Sequence, residues 1–181
     1  VSSKKGDPTE IAILVAAKKS GIDFDALRDE NGAVASFAFE YKRKRMSQVR
    51  TLGNENYAYV KGAPEVILGL CAHYLDGKGN AKVLTLSQKE KIIQSYEGYA
   101  KHGMRTSGVA YKKVHVSKTY QVQNVEKNLT WVGVMGFMDP PRAGVKDALL
   151  LCKKAGIRVI MLTGDSVHTA RAVAKELGLL D

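Results

Sequence analysis

The sequence predicts an α/β protein in which a mostly antiparallel sheet flanked by helices is followed by an αβα piece of a Rossmann-like sheet. Two observations predict this fold. Up to residue 138, strand signals follow one another in hairpin-like succession. From residue 139 the order changes to helix, buried strand, tight turn and helix, which is half of a parallel, doubly wound sheet. We therefore divide the chain into two domains, residues 1–138 and residues 139–181.

The first predicted element is a helix that begins at Pro8. Asp7 is suited to cap it, and Pro8 fits the first helical position. Glu10 stands three residues after the cap, as the acid of a capping box does. Gly21 ends the helix.

Strands dominate the middle of the chain. Runs of β-branched, aromatic or alternating residues predict strands over Val34–Tyr41, Met46–Leu52, Tyr57–Lys61, Val83–Leu86, Arg105–Val114 and Leu129–Phe137. Gly53–Asn56 is predicted as a four-residue hairpin loop. A short helix starts in the segment Gly62–Glu65 and runs through Cys71, and a longer one runs from the capping box Ser87–Glu90 to about Gly103.

After the predicted boundary, the sequence predicts a helix over Ala143–Ala155, a strand over Ile157–Leu162 and a helix over Val167–Leu177. The strand is too apolar for an exposed edge. It therefore needs partner strands that this sequence does not contain.

Composition limits the classes of function. The 181 residues carry a net charge of +10, which suits an anionic partner such as nucleic acid, acidic lipid headgroups or nucleotide phosphates. No apolar run approaches the ~20 residues of a membrane helix, so we expect the chain as given to be soluble. The two cysteines form no CxxC motif and the four histidines are scattered, so we predict no metal site.

The clearest chemical signal is the turn Thr163-Gly164-Asp165 between the last predicted strand and helix. A strand that feeds a helix N-terminus offers free N–H groups and a positive dipole, which suit a phosphoryl group. The alternative is an ordinary capped turn, because this short string is common.

Three further residues are candidates for binding. Phe39 precedes four consecutive cations, Lys42–Arg45, so it could stack on a nucleobase while a cation meets phosphates. The alternative is a core phenylalanine followed by a solvated basic loop. Lys61 ends a strand where Gly62 and Pro64 bend the chain, and is either a cleft lysine or a surface lysine. Arg105 is either a phosphate clamp or a strand-end charge.

Taken together and in this order, these segments resemble the P-type ATPases, and more narrowly the type II cation pumps. The matching segments are Gly6–Glu10, Phe39–Ser47, Lys61-Gly62-Ala63-Pro64-Glu65, Gly103-Met104-Arg105, Asp139-Pro140-Pro141-Arg142 and Met161–Asp165 with Thr169-Ala170. The lysine-containing motif is the most specific of the set, and the resemblance spans nearly the whole chain.

The resemblance implies a nucleotide-binding domain followed by part of a haloacid-dehalogenase-type phosphorylation domain. The positions that match the family's nucleotide-binding residues are Glu10, Phe39, Lys44, Met46, Lys61, Gly62, Arg105 and Asp139. By resemblance, Phe39 stacks on adenine, Lys61 closes the pocket beneath it and Glu10 bonds the adenine amino group. Lys44 approaches the adenine or phosphate region, and Arg105 meets the β-phosphate.

The resemblance also implies the remaining chemistry. Thr163, Gly164 and Asp165, with Asp139 at the hinge, would help to hold the γ-phosphoryl group of ATP, which binds with Mg²⁺. The partners would be the remaining phosphorylation, actuator and transmembrane domains of one pump, at the cytoplasmic face of a membrane. The family's phosphorylated aspartate lies in a DKTG motif that this sequence lacks, so we expect ATP binding without hydrolysis. Tyr41 stands where some members carry an arginine.

Two other classes stay open at this point. A nucleic-acid-binding domain would use Lys42–Arg45 and the net charge, and would bind with a steep dependence on salt. A haloacid-dehalogenase-type phosphatase is suggested by Thr163-Gly164-Asp165, but the sequence places no nucleophilic aspartate on an early strand. The resemblance favours the nucleotide-binding domain, with no nucleic acid as a partner. Among the cation pumps, the resemblance weakly favours calcium pumps.

Overall fold

The computed structural model describes residues 7–138, 141–163 and 167–180. The helices are α1 (Pro8–Lys19), α2 (Phe24–Glu30), α3 (Pro64–Gly69), α4 (Leu86–Lys101), α5 (Val122–Val125), α6 (Val145–Lys154) and α7 (Val167–Glu176). The strands are β1 (Ala33–Glu40), β2 (Arg45–Leu52), β3 (Glu55–Gly62), β4 (Cys71–Leu75), β5 (Ala81–Val83), β6 (Arg105–Val114) and β7 (Leu129–Phe137).

The strands form one sheet in the order β1-β2-β3-β6-β7-β4-β5 within the described residues. The pairs β1/β2, β2/β3, β3/β6 and β4/β5 are antiparallel, whereas β4 and β7 are parallel. The predicted α/β fold with a mostly antiparallel sheet and helices is therefore confirmed.

One face of the central strands is buried. Val49 on β2 and Ala58 on β3 are opposite each other in the ladder and pack with Val125 of α5. The remaining fully or nearly buried apolar side chains include Val60, Ile67, Leu68, Ala110, Leu129 and Trp131. Because side chains alternate between the two faces of a strand, the intervening residues of β2 and β3 project from the opposite face. That opposite face carries three of the candidate binding residues, Phe39, Met46 and Lys61.

The structure corrects three local predictions. The hairpin loop between β2 and β3 has two residues, not four, since Leu52 pairs with Glu55 and Gly53 adopts a φ of 60°, as glycine does at the first position of a type II′ turn. The longer helix begins at Leu86, because the hydroxyl of Thr85, not Ser87, accepts a hydrogen bond from the Gln88 N–H at 3.2 Å. Strand β5 covers Ala81–Val83 rather than Val83–Leu86.

The strand predicted over Ile157–Leu162 is not formed: these residues are described and have no strand partner among the described residues. A strand requires a hydrogen-bonded neighbour, and the sequence analysis had already required one from outside the chain. Ile157, Ile160 and Leu162 are exposed. The helices on either side, α6 and α7, are present close to their predicted positions.

Contacts divide the chain into two compact units. The first comprises the described residues up to Lys89 together with Ser107–Met135, and the second comprises Glu90–Thr106 together with the described residues from Gly136 onwards. Helix α4 from Glu90 onwards therefore groups with the C-terminal helices. The predicted division at residue 138 stays a prediction.

The two cysteines differ in accessibility, and this gives a first testable prediction. Burial raises the pKa of the Cys71 thiol to about 12, and its S–H donates to the carbonyl of Ile67 at 3.2 Å. At pH 8 only about one thiol in ten thousand would then be ionised. Cys152 on α6 is only partly buried. We expect one thiol per chain to react with Ellman's reagent under native conditions and two after unfolding; two fast-reacting thiols in the native protein would contradict this burial.

Candidate functional site

A β-bulge in β1 decides where the Phe39 ring points. Phe37 pairs with Ser47 and Glu40 pairs with Arg45, so two residues of β1, Ala38 and Phe39, lie opposite the single residue Met46. Phe37 packs on the buried core, and Glu40 is turned to the same side by its pairing. Because neighbouring side chains alternate, Phe39 must point to the other face of the sheet, away from the core.

The same face carries Met46 and Lys61. These two residues are direct partners across β2 and β3, and direct partners project from one side of a sheet. Phe39, Met46 and Lys61 therefore form a row across three neighbouring strands, with the two outer backbones about 10 Å apart. Phe39 is 58% exposed, although the sequence alone allowed a core position. An exposed aromatic ring, a thioether and a cation thus lie side by side.

Helix α1 brings Glu10 to this row. Asp7 caps the helix by accepting from the Thr9 N–H at 2.8 Å and from the Glu10 N–H at 3.4 Å. The ammonium group of Lys61 donates to the carboxylate of Glu10, so this glutamate makes an ion pair with β3. Two residues that the family resemblance assigned to one pocket are therefore in direct contact.

Gly62 permits a close approach between β3 and the loop that joins β1 to β2. A Cβ atom at Gly62 would lie 2.3 Å from the carbonyl oxygen of Lys44 and 2.6 Å from the Cβ atom of Arg45. The Lys44 carbonyl accepts from the Ala63 N–H at 3.0 Å, and Lys44 itself adopts a left-handed φ of 51°. The side chain of Lys44 is exposed. Gly62 thus fixes the backbone of Lys44 beside the strand that carries Lys61.

A buried acid that the sequence analysis missed, Glu126, holds the other cations of the loop. Its side chain is 1% exposed and accepts from Arg43 at 2.5 Å, from Arg45 at 2.6 Å and from the Ser47 hydroxyl at 2.8 Å. The predicted basic run is therefore only partly a solvated surface, since two of its four cations face the core. No local sequence pattern around Glu126 indicates that it is buried. The one signal is in β2, where Arg45 and Ser47 alternate with Met46, so that two polar side chains share the face opposite Met46.

The charge on Glu126 gives a prediction for acid stability. Burial by itself raises the pKa of this carboxyl, but hydrogen bonds from Arg43, Ser47 and Arg45 outweigh it, and the net pKa lies below the ordinary value of 4.5. The stability from this depressed pKa is complete above about pH 4.5 and is lost as pH falls through the folded value. We expect the difference in unfolding free energy between wild type and Glu126→Gln to shrink below about pH 4.5. A difference independent of pH down to acid unfolding would contradict the assignment.

The remaining predicted residues fall elsewhere. Arg105 is exposed at the start of β6 and belongs to the second compact unit. Thr163 is exposed, in the segment after the unformed strand. Asp139, Gly164 and Asp165 lie outside the described residues. The structure therefore places Glu10, Phe39, Lys44, Met46, Lys61 and Gly62 in one region of the first unit. The binding roles of all the predicted residues stay predictions.

The described residues contain neither a cluster of metal ligands nor a membrane-spanning helix. No group of three or more His, Cys, Asp or Glu side chains there is arranged to hold a metal ion. Over the same residues, none of the helices combines the length and the apolar character that crossing a bilayer requires.

Comparison with known proteins identifies the family. The family model described as "P-type ATPase, cytoplasmic domain N" matches residues 1–144. The chain belongs to the P-type ATPases. The match covers the whole of the row formed by Phe39, Met46 and Lys61, together with Glu10 and Glu126.

Individual members of the P-type ATPases give the same result. The chain is 38% identical over 179 residues to "Calcium-transporting ATPase 1" of Bacillus cereus, an alignment that covers 99% of this chain and 20% of that protein. It is 36% identical to "Calcium-transporting ATPase" of Bacillus subtilis, over 97% of this chain and 20% of that protein. It is 34% identical to the plasma membrane-type "Calcium-transporting ATPase 10" of Arabidopsis thaliana, over 97% of this chain and 17% of that protein. The chain thus spans about a fifth of the length of these relatives.

Proposed function

We propose that this chain binds ATP as the nucleotide-binding domain of a calcium-transporting P-type ATPase, and presents the γ-phosphate to an aspartate that its own sequence does not contain. The observation that carries the proposal is the row of Phe39, Met46 and Lys61 on the exposed face of the sheet, which the β1 bulge creates. An aromatic ring exposed beside a cation is suited to a nucleotide, since every base has a π-face and every phosphate is anionic.

The adenine base stacks on Phe39 in this proposal, with Met46 forming the wall of the pocket and Lys61 closing it. Glu10 forms an ion pair with Lys61. Both are long, partly exposed side chains, and a pair of this kind has a small interaction energy that a ligand can replace. On binding, the Glu10 carboxylate accepts a hydrogen bond from the adenine amino group.

The phosphates extend towards cationic side chains. Lys44 is exposed on the loop that Gly62 fixes, so it is available to the adenine end or to the phosphates. We assign Arg105 to the β-phosphate by the family motif. Mg²⁺ bound to ATP would neutralise part of the phosphate charge. Orientation is the main contribution of protein to phosphoryl transfer, and the first unit would supply it at the adenine end.

Residues 139–181 would be part of the phosphorylation domain. The exposed apolar run Ile157–Leu162 then becomes a strand when the rest of that Rossmann-like domain supplies partner strands. Thr163, Gly164 and Asp165, with Asp139, would hold the γ-phosphoryl group in the intact pump. Actuator and transmembrane domains would complete it, with this chain at the cytoplasmic face. The calcium-transporting names of the relatives support calcium as the ion.

The basic loop argues against nucleic acid as the ligand. Arg43 and Arg45 are both engaged by Glu126, so two of the four consecutive cations are not available for a phosphate backbone. Nucleic-acid affinity depends on the number of phosphates that cations neutralise. The loop thus offers fewer available cations to an oligonucleotide than the net charge of +10 suggests.

An ATP titration followed by backbone amide shifts tests the proposal. We expect weak binding with a Kd on the order of 1 mM, about −4 kcal/mol, and shifts concentrated around Phe39, Lys61 and Arg105. No steady ATP hydrolysis should be detected. Shifts at these residues with a single-stranded oligonucleotide but not with ATP would overturn the proposal, as would robust turnover by the chain alone.

A further inference from the structure

Glu126 is the buried charged residue in the part of the chain that the structure describes, and the proposed function does not use it. It follows α5 and lies about 80 positions along the chain from the loop that it contacts. A buried carboxylate without partners is costly, and removing one partner of such a pair leaves an uncompensated charge. Glu126 therefore requires Arg43, Arg45 and Ser47 to face the core.

The contacts of Arg43 and Arg45 extend this requirement to the whole loop between β1 and β2. Arg43 also donates to the Glu40 carboxylate at 2.7 Å and to the Ala38 carbonyl at 2.9 Å. Arg45 donates to the Arg43 carbonyl at 3.0 Å. Arg43 in the loop and Arg45 at the start of β2 thus both bond to Glu126. Three further bonds connect these two arginines to β1 and to the loop backbone. The loop backbone has little freedom while these bonds are intact.

This attachment determines which residues face outwards. With Glu40 and Arg45 turned to the core, alternation turns Phe39 and Met46 to the opposite face. The backbone N–H of Lys44 donates to the Glu40 carbonyl at 2.7 Å, and Lys44 makes this bond in its left-handed conformation. The outward orientation of Phe39 and Met46 therefore depends on the hydrogen bonds that Glu126 makes with Arg43 and Arg45 on the other side of the sheet.

We propose that Glu126 is a positioning residue for nucleotide binding, which holds Phe39, Lys44 and Met46 in their binding positions through Arg43 and Arg45 without touching the nucleotide. This inference rests on the proposed function. If the loop leaves its binding-competent arrangement, the apparent Kd rises by the reciprocal of the competent fraction. A structural role alone would lower stability and leave the Kd of the folded protein unchanged.

The test compares Glu126→Gln with Val125→Ala in the 181-residue chain. Glutamine keeps the size of the side chain and removes its charge. Val125 is the preceding residue and is equally buried, so its truncation lowers stability without touching the loop network. At a temperature where all variants are folded, we expect the Kd for ATP to rise roughly tenfold in Glu126→Gln and less than about twofold in Val125→Ala. The amide signals of Phe39 to Arg45 should shift in nucleotide-free Glu126→Gln.

A second variant covers the case in which Glu126→Gln does not fold. Arg43→Gln leaves Glu126 paired with Arg45 and Ser47, and we expect a Kd several-fold above that of wild type. In the double variant, Glu126→Gln and Arg43→Gln should together cost no more than the larger single effect, because both act through one network. Independent, additive losses would contradict the proposed connection.

The outcomes distinguish this inference from the proposed function. Absence of ATP binding by the wild-type chain would overturn both. Wild-type binding at Phe39 and Lys61 with an unchanged Kd and unshifted loop signals in Glu126→Gln, or in Arg43→Gln if that is the folded variant, would overturn the positioning role and leave the proposed function standing. An equal rise in Kd for Val125→Ala would also overturn it, since general destabilisation would then account for the loss.

Discussion

Replacing Phe39 with alanine should weaken the binding of ATP by about 5- to 150-fold, because stacking of a base on an aromatic ring contributes about 1–3 kcal/mol. The ring is largely exposed and points away from the core, so its removal should leave the folding free energy nearly unchanged. Starting from weak binding, a loss of this size would leave no saturable binding in the accessible range of ATP. Amide shifts during an ATP titration measure the effect.

Two variants serve as controls for Phe39→Ala. Phe39→Trp keeps a stacking surface and should retain binding within a few-fold of wild type. Val34→Ala truncates another exposed apolar residue of β1 and should bind like wild type. Unchanged ATP affinity in Phe39→Ala, or an equal loss in Val34→Ala, would remove the basis for stacking at Phe39.

Gly62→Ala should lower the unfolding free energy by about 3 kcal/mol, the upper part of the usual range for overpacking. The added methyl group would lie 2.3 Å from a backbone oxygen, that of Lys44, which cannot move without displacing the loop. The chain has one tryptophan, Trp131, which is buried in the same compact unit. Its fluorescence during urea unfolding therefore reports the loss.

Gly133→Ala is the matched control for Gly62→Ala. Gly133 is also a strand residue of the first unit, and a Cβ atom there would meet nothing within 4 Å. Its replacement should change the unfolding free energy by less than about 1 kcal/mol, with a small gain from the stiffer unfolded chain. Similar losses in both variants would mean that the approach of Gly62 to Lys44 is not the cause.

Most elements of the sheet could be predicted because their signals are local. Strands β6 and β7 have the bounds that the sequence predicts, since each is a long run of alternating or β-branched residues. The N-terminus of α1 was also predicted, because Asp7 and Pro8 act on neighbouring backbone groups. The start of α4 was placed at Ser87 because two hydroxyl residues, Thr85 and Ser87, both resemble a cap.

Three further elements were missed because their signals are short or ambiguous. Helix α2 has seven residues and α5 has four, too few for a helical period to show. Strand β4 begins at Cys71, where the predicted short helix ends, and no element is predicted for its other residues, although their apolar and aromatic side chains suit a strand. It pairs in parallel with β7, a contact between residues more than 50 positions apart. Such pairing leaves no trace in a local pattern.

The features of the candidate site likewise differ in whether a local sequence pattern indicates them. Phe39, Lys44 and Lys61 are predicted as site residues because family motifs mark them, and Glu10 because it stands at a recognisable helix start. The orientation of Phe39 depends on a bulge, which is visible only in the pairing of β1 with β2. Glu126 was missed because its role depends on Arg43 and Arg45, about 80 residues earlier, and the sequence shows only that these cations are consecutive.

The most direct test of the central claim is a nuclear Overhauser measurement between adenine ring protons of bound ATP and side-chain protons of the chain. An adenine base held on the exposed row should show contacts to the ring of Phe39 and to the methyl group of Met46. Contacts from adenine only to residues outside the first unit, under conditions where ATP is bound, would contradict the account.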